Sequence, residues 1–239
     1  MNKYDVSLVL ACYNESEIFI NSVKRIFNTL DKTDFTYEII FVEDKSQDNT
    51  TELIKKTIKK YPRHNLTAIF HAENLGRGQT VVDGFLKAQG RIVGYIDIDL
   101  ETGEWYLPKF FSEIDKGADA ASALRIYDFS LWTLPRWLAS KSYVWLRKML
   151  LDLPYEDTEA GYKFFKRIKL LPLLKEVQHQ GWFFDTEIMA LCFKYKLKVK
   201  EIPVAFVRNK LKTSTVRLIP DSLNYLINLI KFSISFRLK

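Results

Sequence analysis

Short apolar runs alternate with amphipathic segments along the first hundred residues. Runs rich in β-branched and aromatic residues predict buried strands, and apolar positions spaced three and four residues apart predict helices. The predicted strands are Asp5–Tyr13, Tyr37–Val42, Leu66–Phe70 and Arg91–Ile98. The predicted helices are Glu15–Leu30, a segment from Asp48 to about Lys60, and Gln79–Ala88. This alternation is typical of a mostly parallel α/β sheet with helices on both faces.

The pattern is less regular after Ala123. We expect two short helices within Leu131–Leu151, a strand over Lys198–Val207 and an amphipathic helix over Asp221–Phe236. These elements predict one α/β domain over residues 1–215, followed by a basic amphipathic helix over residues 216–239.

Neither a signal peptide nor a membrane-spanning helix is expected. Asp5 interrupts the first apolar run, which argues against a signal peptide. No charge-free stretch approaches the roughly 20 apolar residues that a spanning helix needs. Cys12 and Cys192 lie far apart inside apolar runs, so we expect no disulfide framework or zinc site, and a reducing compartment fits.

Composition and charge place the chain among ordinary globular proteins with a basic end. The chain has 239 residues, of which 47% are apolar and 27% charged, and its formal net charge is +7. Between Lys194 and Lys239, eight lysines and three arginines face two acidic residues, for a net charge of +9. Such a segment favours an anionic surface, either a membrane or a nucleic acid.

Carboxylates follow the fourth predicted strand. In an open α/β sheet, ligands bind beyond the carboxyl ends of the strands. Alternate strand residues share a face, so Asp97 and Asp99 are expected to leave the strand end together, with Glu101 nearby. Carboxylate oxygens suit Mg²⁺ or Mn²⁺. The alternative is a polar strand exit that caps the next helix.

Two further polar clusters lie at predicted strand ends. Glu43–Thr50 follows the second strand and offers acceptors for a ribose or a base, or a turn that caps a helix. Asn74–Gly78 precedes a helix, where Arg77 near the helix N-terminus suits a diphosphate.

The order of these clusters is more specific than any one of them. With Tyr13-Asn14-Glu15 after the first strand, the series resembles the family 2 glycosyltransferases of GT-A fold. The family's DDGSxDGT corresponds to EDKSQDNT at residues 43–50, in which Lys45 and Asn49 replace two glycines. The resemblance covers roughly Val6 to Ser214.

Motifs in the second half resemble the polyprenyl-phosphate sugar synthases, which include dolichyl-phosphate glucose and mannose synthases. They are Ser122–Arg125, Asp157-Thr-x-x-Gly161-Tyr-Lys163 and Phe184-Asp-Thr-Glu-Ile188. The Asp157-Thr-x-x-Gly161-Tyr-Lys163 form and the Asn-x-Gly-x-Gly form at residues 74–78 look somewhat closer to the glucose branch. The family's Arg-x-x-Gly-x-Ser loop lacks its glycine here, in the segment that begins at Arg208.

The resemblance implies a site for a nucleotide sugar and a divalent metal ion, Mg²⁺ or Mn²⁺. The residues implied for the nucleotide sugar are Ala11, Tyr13, Asn14, Glu15, Asp44, Ser46, Asn74, Gly76, Arg77, Asp97 and Ile98. The residues implied for the metal are Asp97, Asp99 and Glu101. The residues implied for catalysis are Asp99, Asp157 and Arg125.

The implied acceptor is a polyprenyl or dolichyl phosphate. Its phosphate is assigned to Arg125, Arg136, Ser140, Lys163 and Arg208. The implied reaction transfers a hexose with inversion, and UDP-glucose is the favoured donor, with GDP-mannose and UDP-N-acetylglucosamine as alternatives. Each of these residues also has a structural alternative, as a surface or ion-paired side chain or a helix cap.

The amphipathic pattern of the last helix and the Trp-, Tyr- and Lys-rich Leu131–Leu151 segment predict contact with an anionic membrane surface, on the cytoplasmic face. The alternative is that the two segments bury each other or form a homo-oligomer interface. Binding to nucleic acid is not expected, because the last helix is too apolar. The competing functions are a glycosyltransferase with a soluble or other lipid glycan acceptor, and a non-catalytic membrane-binding module.

Overall fold

The computed structural model describes residues 2–127, 144–208 and 218–237. Its strands are β1 (Tyr4–Cys12), β2 (Tyr37–Glu43), β3 (Leu66–Phe70), β4 (Gly90–Ile96), β5 (Ala120–Tyr127), β6 (Tyr162–Lys166) and β7 (Val199–Phe206). Its helices are α1 (Phe19–Leu30), α2 (Thr50–Lys60), α3 (Arg77–Lys87), α4 (Leu107–Asp115), α5 (144–151), α6 (Arg167–Leu174), α7 (Phe184–Lys194) and α8 (Leu218–Arg237). In these residues, the strands form one sheet in the order β3-β2-β1-β4-β6-β5-β7.

The first half of the sheet is parallel, as the sequence predicts. β1 pairs with β2 and β4, and β2 pairs with β3, all in parallel register. The carboxyl ends of β1, β2 and β4 therefore meet at one edge, where the predicted polar clusters begin.

The second half of the sheet contains a reversed strand that the sequence pattern does not predict. β6 runs antiparallel between β4 and β5, and β7 pairs in parallel with β5. β6 is five residues long and includes Lys163 and Lys166, so its composition does not resemble a buried strand. β5 begins with small residues, which carry little strand signal.

Apolar side chains fill both faces of the sheet. One cluster joins the sheet to α1 and α4 through residues such as Phe19, Ile26 and Phe110. The other joins it to α3, α6, α7 and α8 through residues such as Phe85 and Ile188. Helices thus cover both faces, which is the arrangement that makes buried parallel strands stable.

Helix α8 is amphipathic, and one of its faces packs on the body. Leu229 and Phe232 are buried, and the Phe232 ring lies 5.5 Å from that of Phe183. The opposite face is exposed at Leu223, Ile227, Ile230 and Ile234. Among the described residues, no helix combines the length and the apolar character that crossing a membrane requires.

Candidate active site

Hydrogen bonds connect the loops that follow β1 and β2. The amide of Asn14 donates to Ser46 Oγ (3.0 Å), and the amide of Gln47 donates to Asn14 Oδ1 (2.7 Å). The Asp48 carboxylate accepts the amide of Ser16 (2.9 Å) and also caps the start of α2. The structure therefore brings the predicted residues Asn14 and Ser46 into direct contact.

The two positions that replace family glycines differ in backbone conformation. Lys45 has φ +62°, in the left-handed region, whereas Asn49 has φ −79°. A residue with a Cβ is strained in the left-handed region and is unstrained at the second position. The loop therefore keeps the shape of a glycine turn at Lys45.

Asp44 is buried and connects the loop after β2 to the loop after β3. Its Oδ1 accepts the amide of Leu75 (2.8 Å), and its Oδ2 accepts the amide of Gly76 (2.9 Å). His71 lies between two carboxylates, with Nδ1 2.7 Å from Asp44 Oδ1 and Nε2 3.0 Å from Asp83 Oδ2. His71 belongs to none of the motifs in the sequence, although its position directly after β3 is a usable signal.

The glycines of the Asn74–Gly78 loop are needed by the protein's own packing. Gly76 has φ +89°, and a Cβ there would lie 2.9 Å from the Gln180 carbonyl oxygen. A Cβ on Gly78 would lie 2.6 Å from Phe184 Cβ. The Asn74 side-chain amide donates to the Asp44 carbonyl (3.0 Å). The close backbone approach that these glycines allow is therefore to the 180–184 segment.

β4 ends at Ile96, two residues earlier than predicted. The Asp97 amide donates to the Gly161 carbonyl (3.0 Å), and the chain then turns at Leu100, which has φ +54°. Asp97 and Asp99 therefore leave the strand end together, as expected, but they do not lie at alternating positions within the strand. The turn instead places both residues on the wall of one pocket.

Acidic and basic side chains both line this pocket. It is lined by Asp97, Asp99, Glu101, Thr102, Arg125, Gly161 and Phe206. Arg125 comes from β5, and Phe206 is the last residue of β7. The late strands therefore complete a site that the β4 loop begins.

The donor chemistry of the pocket fits a hard divalent cation. Asp97, Asp99 and Glu101 supply carboxylate oxygens, and Asp97 is 46% exposed. Across the described ranges, however, no group of three metal-ligating side chains is placed to hold an ion by itself. The assignment of all three carboxylates to the ion therefore stays a prediction. Mg²⁺ and similar ions commonly use one or two carboxylates with waters and substrate phosphates, and these residues suit that pattern.

Arg77, the first residue of α3, lies between two carboxylates. Its Nε and Nη2 lie 3.2 and 2.6 Å from Asp97 Oδ1, and its Nη1 contacts Asp185 Oδ2. The guanidinium also lies over the rings of Tyr95 (5.3 Å) and Trp182 (5.5 Å). Arg77 is thus placed beside the first carboxylate of the Asp-x-Asp motif.

Lys163, which the sequence predicts to bind the acceptor phosphate, is buried. Its side chain is 0% exposed, and Nζ lies 2.9 Å from Asp185 Oδ1 and also contacts the Ala160 carbonyl. Tyr95 donates its hydroxyl to the same Asp185 oxygen. The ammonium group cannot reach an acceptor without leaving these partners, so we revise its expected role to support of Asp185.

Arg125 and Asp157, both predicted to be catalytic, form a two-point ion pair. Burial alone would raise the Asp157 pKa, but the adjacent Arg125 charge and hydrogen bonds outweigh burial and lower that pKa. Burial alone would lower the Arg125 pKa, and the Asp157 charge raises it instead. Both groups therefore stay charged near neutral pH.

The remaining predicted residues fall into four groups. Ile98 and Glu15 are buried, whereas Ala11 and Tyr13 are half-buried near the end of β1. Arg208 is exposed and follows Val207, whose amide donates to the Glu101 carbonyl (2.8 Å). The predicted acceptor residues that lie outside the described residues are Arg136 and Ser140.

Residues 7–188 match the family model for Glycosyl transferase family 2. The chain belongs to glycosyl transferase family 2. The predicted enzyme class is therefore confirmed: the protein is a glycosyltransferase with the predicted GT-A-type α/β fold.

Curated relatives of this family 2 glycosyltransferase include two dolichyl-phosphate β-glucosyltransferases. The Saccharomyces cerevisiae protein is 27% identical over 228 residues, covering 84% of this chain and 66% of the relative. The Trichomonas vaginalis protein ALG5C is 27% identical over 256 residues, covering 97% and 71%. Glycosyltransferase AglD of Haloferax volcanii is 29% identical over 206 residues, covering 84% of this chain. This chain spans 32% of the length of AglD.

Solved structures with the same fold include glucosyl-3-phosphoglycerate synthase from Mycobacterium tuberculosis. The complex with Mn²⁺, UDP and glucosyl-3-phosphoglycerate has a TM-score of 0.64 and 18% identity, covering 99% of this chain and 79% of that one. The complex with UDP has a TM-score of 0.67 and 17% identity, covering 98% and 80%. At this identity the likeness shows the fold.

Proposed function

We propose that this glycosyltransferase moves a glucosyl group from UDP-glucose to the phosphate of a polyprenyl or dolichyl lipid, using Mg²⁺ or Mn²⁺. GDP-mannose and UDP-N-acetylglucosamine are the alternative donors. The observation that carries the proposal is the pocket that Asp97, Asp99 and Arg125 line together. Such a pocket offers a cation site for one phosphate group beside a fixed cationic side chain for another.

The relatives support the choice of substrates. Two of them are named dolichyl-phosphate β-glucosyltransferases, and they match most of this chain. A solved structure of the same fold holds Mn²⁺ together with UDP-glucose. The pocket residues described here supply matching chemistry, with carboxylates for the cation and arginines for phosphates.

The main chemical task is to bring two anions together. A lipid phosphate is already ionised near neutral pH, so it needs little or no general base. Arg125, held in place by Asp157, offers positive charge to the acceptor phosphate. Bound Mg²⁺ or Mn²⁺ supplies Lewis-acid stabilisation of the charge that develops on the departing diphosphate.

An apolar rim beside Arg125 supports a lipid acceptor. The Arg125 guanidinium lies 5.7 Å from the Tyr127 ring and 5.9 Å from the Phe206 ring. Ile126, Tyr127 and Val207 are each more than half exposed next to these groups. An isoprenoid chain would cover this apolar surface while its phosphate met the arginine. Attack by that phosphate in a single displacement gives the inverted, β-linked product.

The outer face of α8 supports work at a membrane surface. Four exposed apolar side chains are spaced four, three and four residues apart on that face, and the segment around them is basic. A peripheral helix of this kind brings the pocket to the lipid that carries the acceptor. The membrane face, the oligomeric state and the boundary between the predicted domains at residue 215 stay predictions.

The test is sugar transfer in detergent with Mg²⁺ or Mn²⁺. It offers a panel of UDP- and GDP-sugars to a polyprenyl phosphate and, separately, to 3-phosphoglycerate. Asp99→Asn should abolish transfer, whereas Asp115→Asn, in an ion pair with Arg91 outside the pocket, should retain it. Glucose transfer to the lipid supports the proposal. Transfer only to phosphoglycerate overturns the lipid acceptor, and no donor turnover overturns the donor class.

A further inference from the structure

The two carboxylates that hold Arg77 lie in unlike surroundings. Asp97 is 46% exposed at the pocket, whereas Asp185 is 3% exposed. Asp185 also accepts hydrogen bonds from Tyr95 and Lys163, so three donors converge on it. Water can replace Arg77 at Asp97 with little loss. Removing Arg77 from Asp185 would separate two buried charges, which costs far more free energy.

Two aromatic rings also restrict the position of the Arg77 side chain. Its guanidinium lies over the rings of Tyr95 and Trp182, and the side chain is 11% exposed. The guanidinium is therefore anchored at one end and displaceable at the other. Arg77 and a divalent cation on Asp97 would compete for the same carboxylate.

We propose that Arg77 is an exchangeable counter-ion for Asp97. Before a divalent cation is bound, Arg77 neutralises the Asp97 carboxylate. When the cation takes that carboxylate, Arg77 stays on Asp185 and turns its released N–H groups to the donor diphosphate. The role of the diphosphate rests on the proposed function, whereas competition at Asp97 concerns only the protein and the cation.

This exchange predicts effects of opposite sign on two binding steps. Removing Arg77 takes away a competitor, so Mn²⁺ alone should bind more tightly. The same change takes away a phosphate ligand, so UDP should tighten Mn²⁺ binding less than in the wild type. A residue that only supports the fold would weaken both steps or neither, because coupling between ligands requires differential contacts.

The chain offers a matched control in Arg91. Arg91 also bridges two aspartates, Asp5 and Asp115, and it lies at the start of β4, at the opposite end of the strand from Asp97. Arg91→Gln removes one positive charge and two ion pairs, as Arg77→Gln does. It therefore separates a local effect from a change in net charge.

The experiment measures free Mn²⁺ by electron paramagnetic resonance during titration of the full chain, with and without UDP. For Arg77→Gln we expect the Kd for Mn²⁺ alone to fall about 3- to 10-fold, in the range of a partly exposed ion pair, and the tightening by UDP to fall at least as much. Arg91→Gln should behave as the wild type. Arg77→Lys keeps the charge without the two-point geometry, so its Kd for Mn²⁺ should lie between those of Arg77→Gln and the wild type. This variant replaces Arg77→Gln in the test if the glutamine variant does not fold.

An unchanged or weaker affinity of Arg77→Gln for Mn²⁺ alone overturns the exchange, even if the wild type binds Mn²⁺ and UDP together as the proposed function requires. Equal tightening in Arg91→Gln also overturns it, because the effect would then be one of net charge. A wild type that binds no Mn²⁺ with or without UDP overturns the proposed metal dependence and this inference together.

Discussion

Arg125 and Asp157 meet through two parallel contacts, with Nε 2.7 Å from Oδ2 and Nη2 2.9 Å from Oδ1. Asp157 also accepts the amides of Glu159 and Ala160, each at 3.1 Å. The carboxylate therefore fixes both a cationic side chain of β5 and the loop that leads into β6. Two-point pairing of this kind restricts the guanidinium plane more than a single contact would.

Asp157→Asn should lower kcat/KM for the acceptor by about 10- to 100-fold, because a misdirected Arg125 no longer meets the acceptor phosphate correctly. The measurement is steady-state transfer with the lipid phosphate varied at saturating donor. Glu159→Gln is the control, because Glu159 lies 3.8 Å from Arg125 in a single looser contact. Equal losses in both variants would contradict the positioning role.

The ion-paired Asp157 carboxylate should also affect unfolding by acid. Its folded-state pKa lies below the ordinary value of 3.8, so its ionised form favours the folded state. The stability contribution is present above that ordinary value and is lost as the pH falls through the lower folded-state pKa. Asp157→Asn should therefore flatten the fall in unfolding free energy below about pH 4, relative to the wild type. Urea unfolding at several pH values checks this, and parallel curves would refute it.

Lys45→Gly and Asn49→Gly should have unlike effects on stability. Lys45 is strained at φ +62°, so glycine there should raise the free energy of unfolding by about 0.5–1 kcal/mol. Asn49 has an ordinary φ, so glycine there should give no gain and a loss of a few tenths of a kcal/mol. Urea unfolding of the two variants in parallel is the check, and a gain at Asn49 would argue against this backbone explanation.

Lys163→Met distinguishes a supporting role from a phosphate-binding one. Removing the buried ammonium leaves Asp185 with one fewer cation, so we expect a loss of about 2–4 kcal/mol of stability. Among molecules that remain folded, the KM for the lipid phosphate should stay within about threefold of the wild type, since the group does not reach the pocket. A large rise in acceptor KM with little loss of stability would restore the role predicted from sequence.

The two faces of α8 should respond differently to substitution. Ile230→Ser on the exposed face should change stability by less than about 0.5 kcal/mol yet weaken binding to anionic vesicles. Leu229→Ala on the buried face should cost about 2–4 kcal/mol. Vesicle sedimentation and thermal unfolding separate the two effects. Unaltered vesicle binding by Ile230→Ser and Ile234→Ser would leave the exposed face without its proposed lipid contact.

The sequence predicts the parallel half of the sheet well, because those strands are apolar runs bounded by polar turns. β3 has the predicted bounds. β1 begins and ends one residue earlier than predicted, and β2 ends one residue later. The antiparallel strand β6 is missed, because its pairing with β4 and β5 depends on contacts between distant parts of the chain.

In the candidate site, too, local patterns are predictable from the sequence, whereas contacts between distant parts of the chain are not. The order of motifs predicts Asp97, Asp99, Arg77 and Arg125 as site residues, and the structure places Asp97, Asp99 and Arg125 on one pocket, with Arg77 in contact with Asp97. It does not reveal that Lys163 is buried under Asp185, or that His71 joins Asp44 to Asp83. Those facts depend on how α3 and α7 pack, and no local pattern encodes that packing.

The order of strands in the sheet differs from their order along the chain, and this constrains when the protein can acquire its active form during synthesis. β5 is made before β6, yet β6 must lie between it and β4. The Asp97 amide lacks its hydrogen-bond acceptor, the Gly161 carbonyl, until Gly161 has been made. Phe206, which also lines the pocket, is made later still. A ribosome-bound chain that stops short of residue 206 therefore has an unfinished pocket, however well its first four strands are folded.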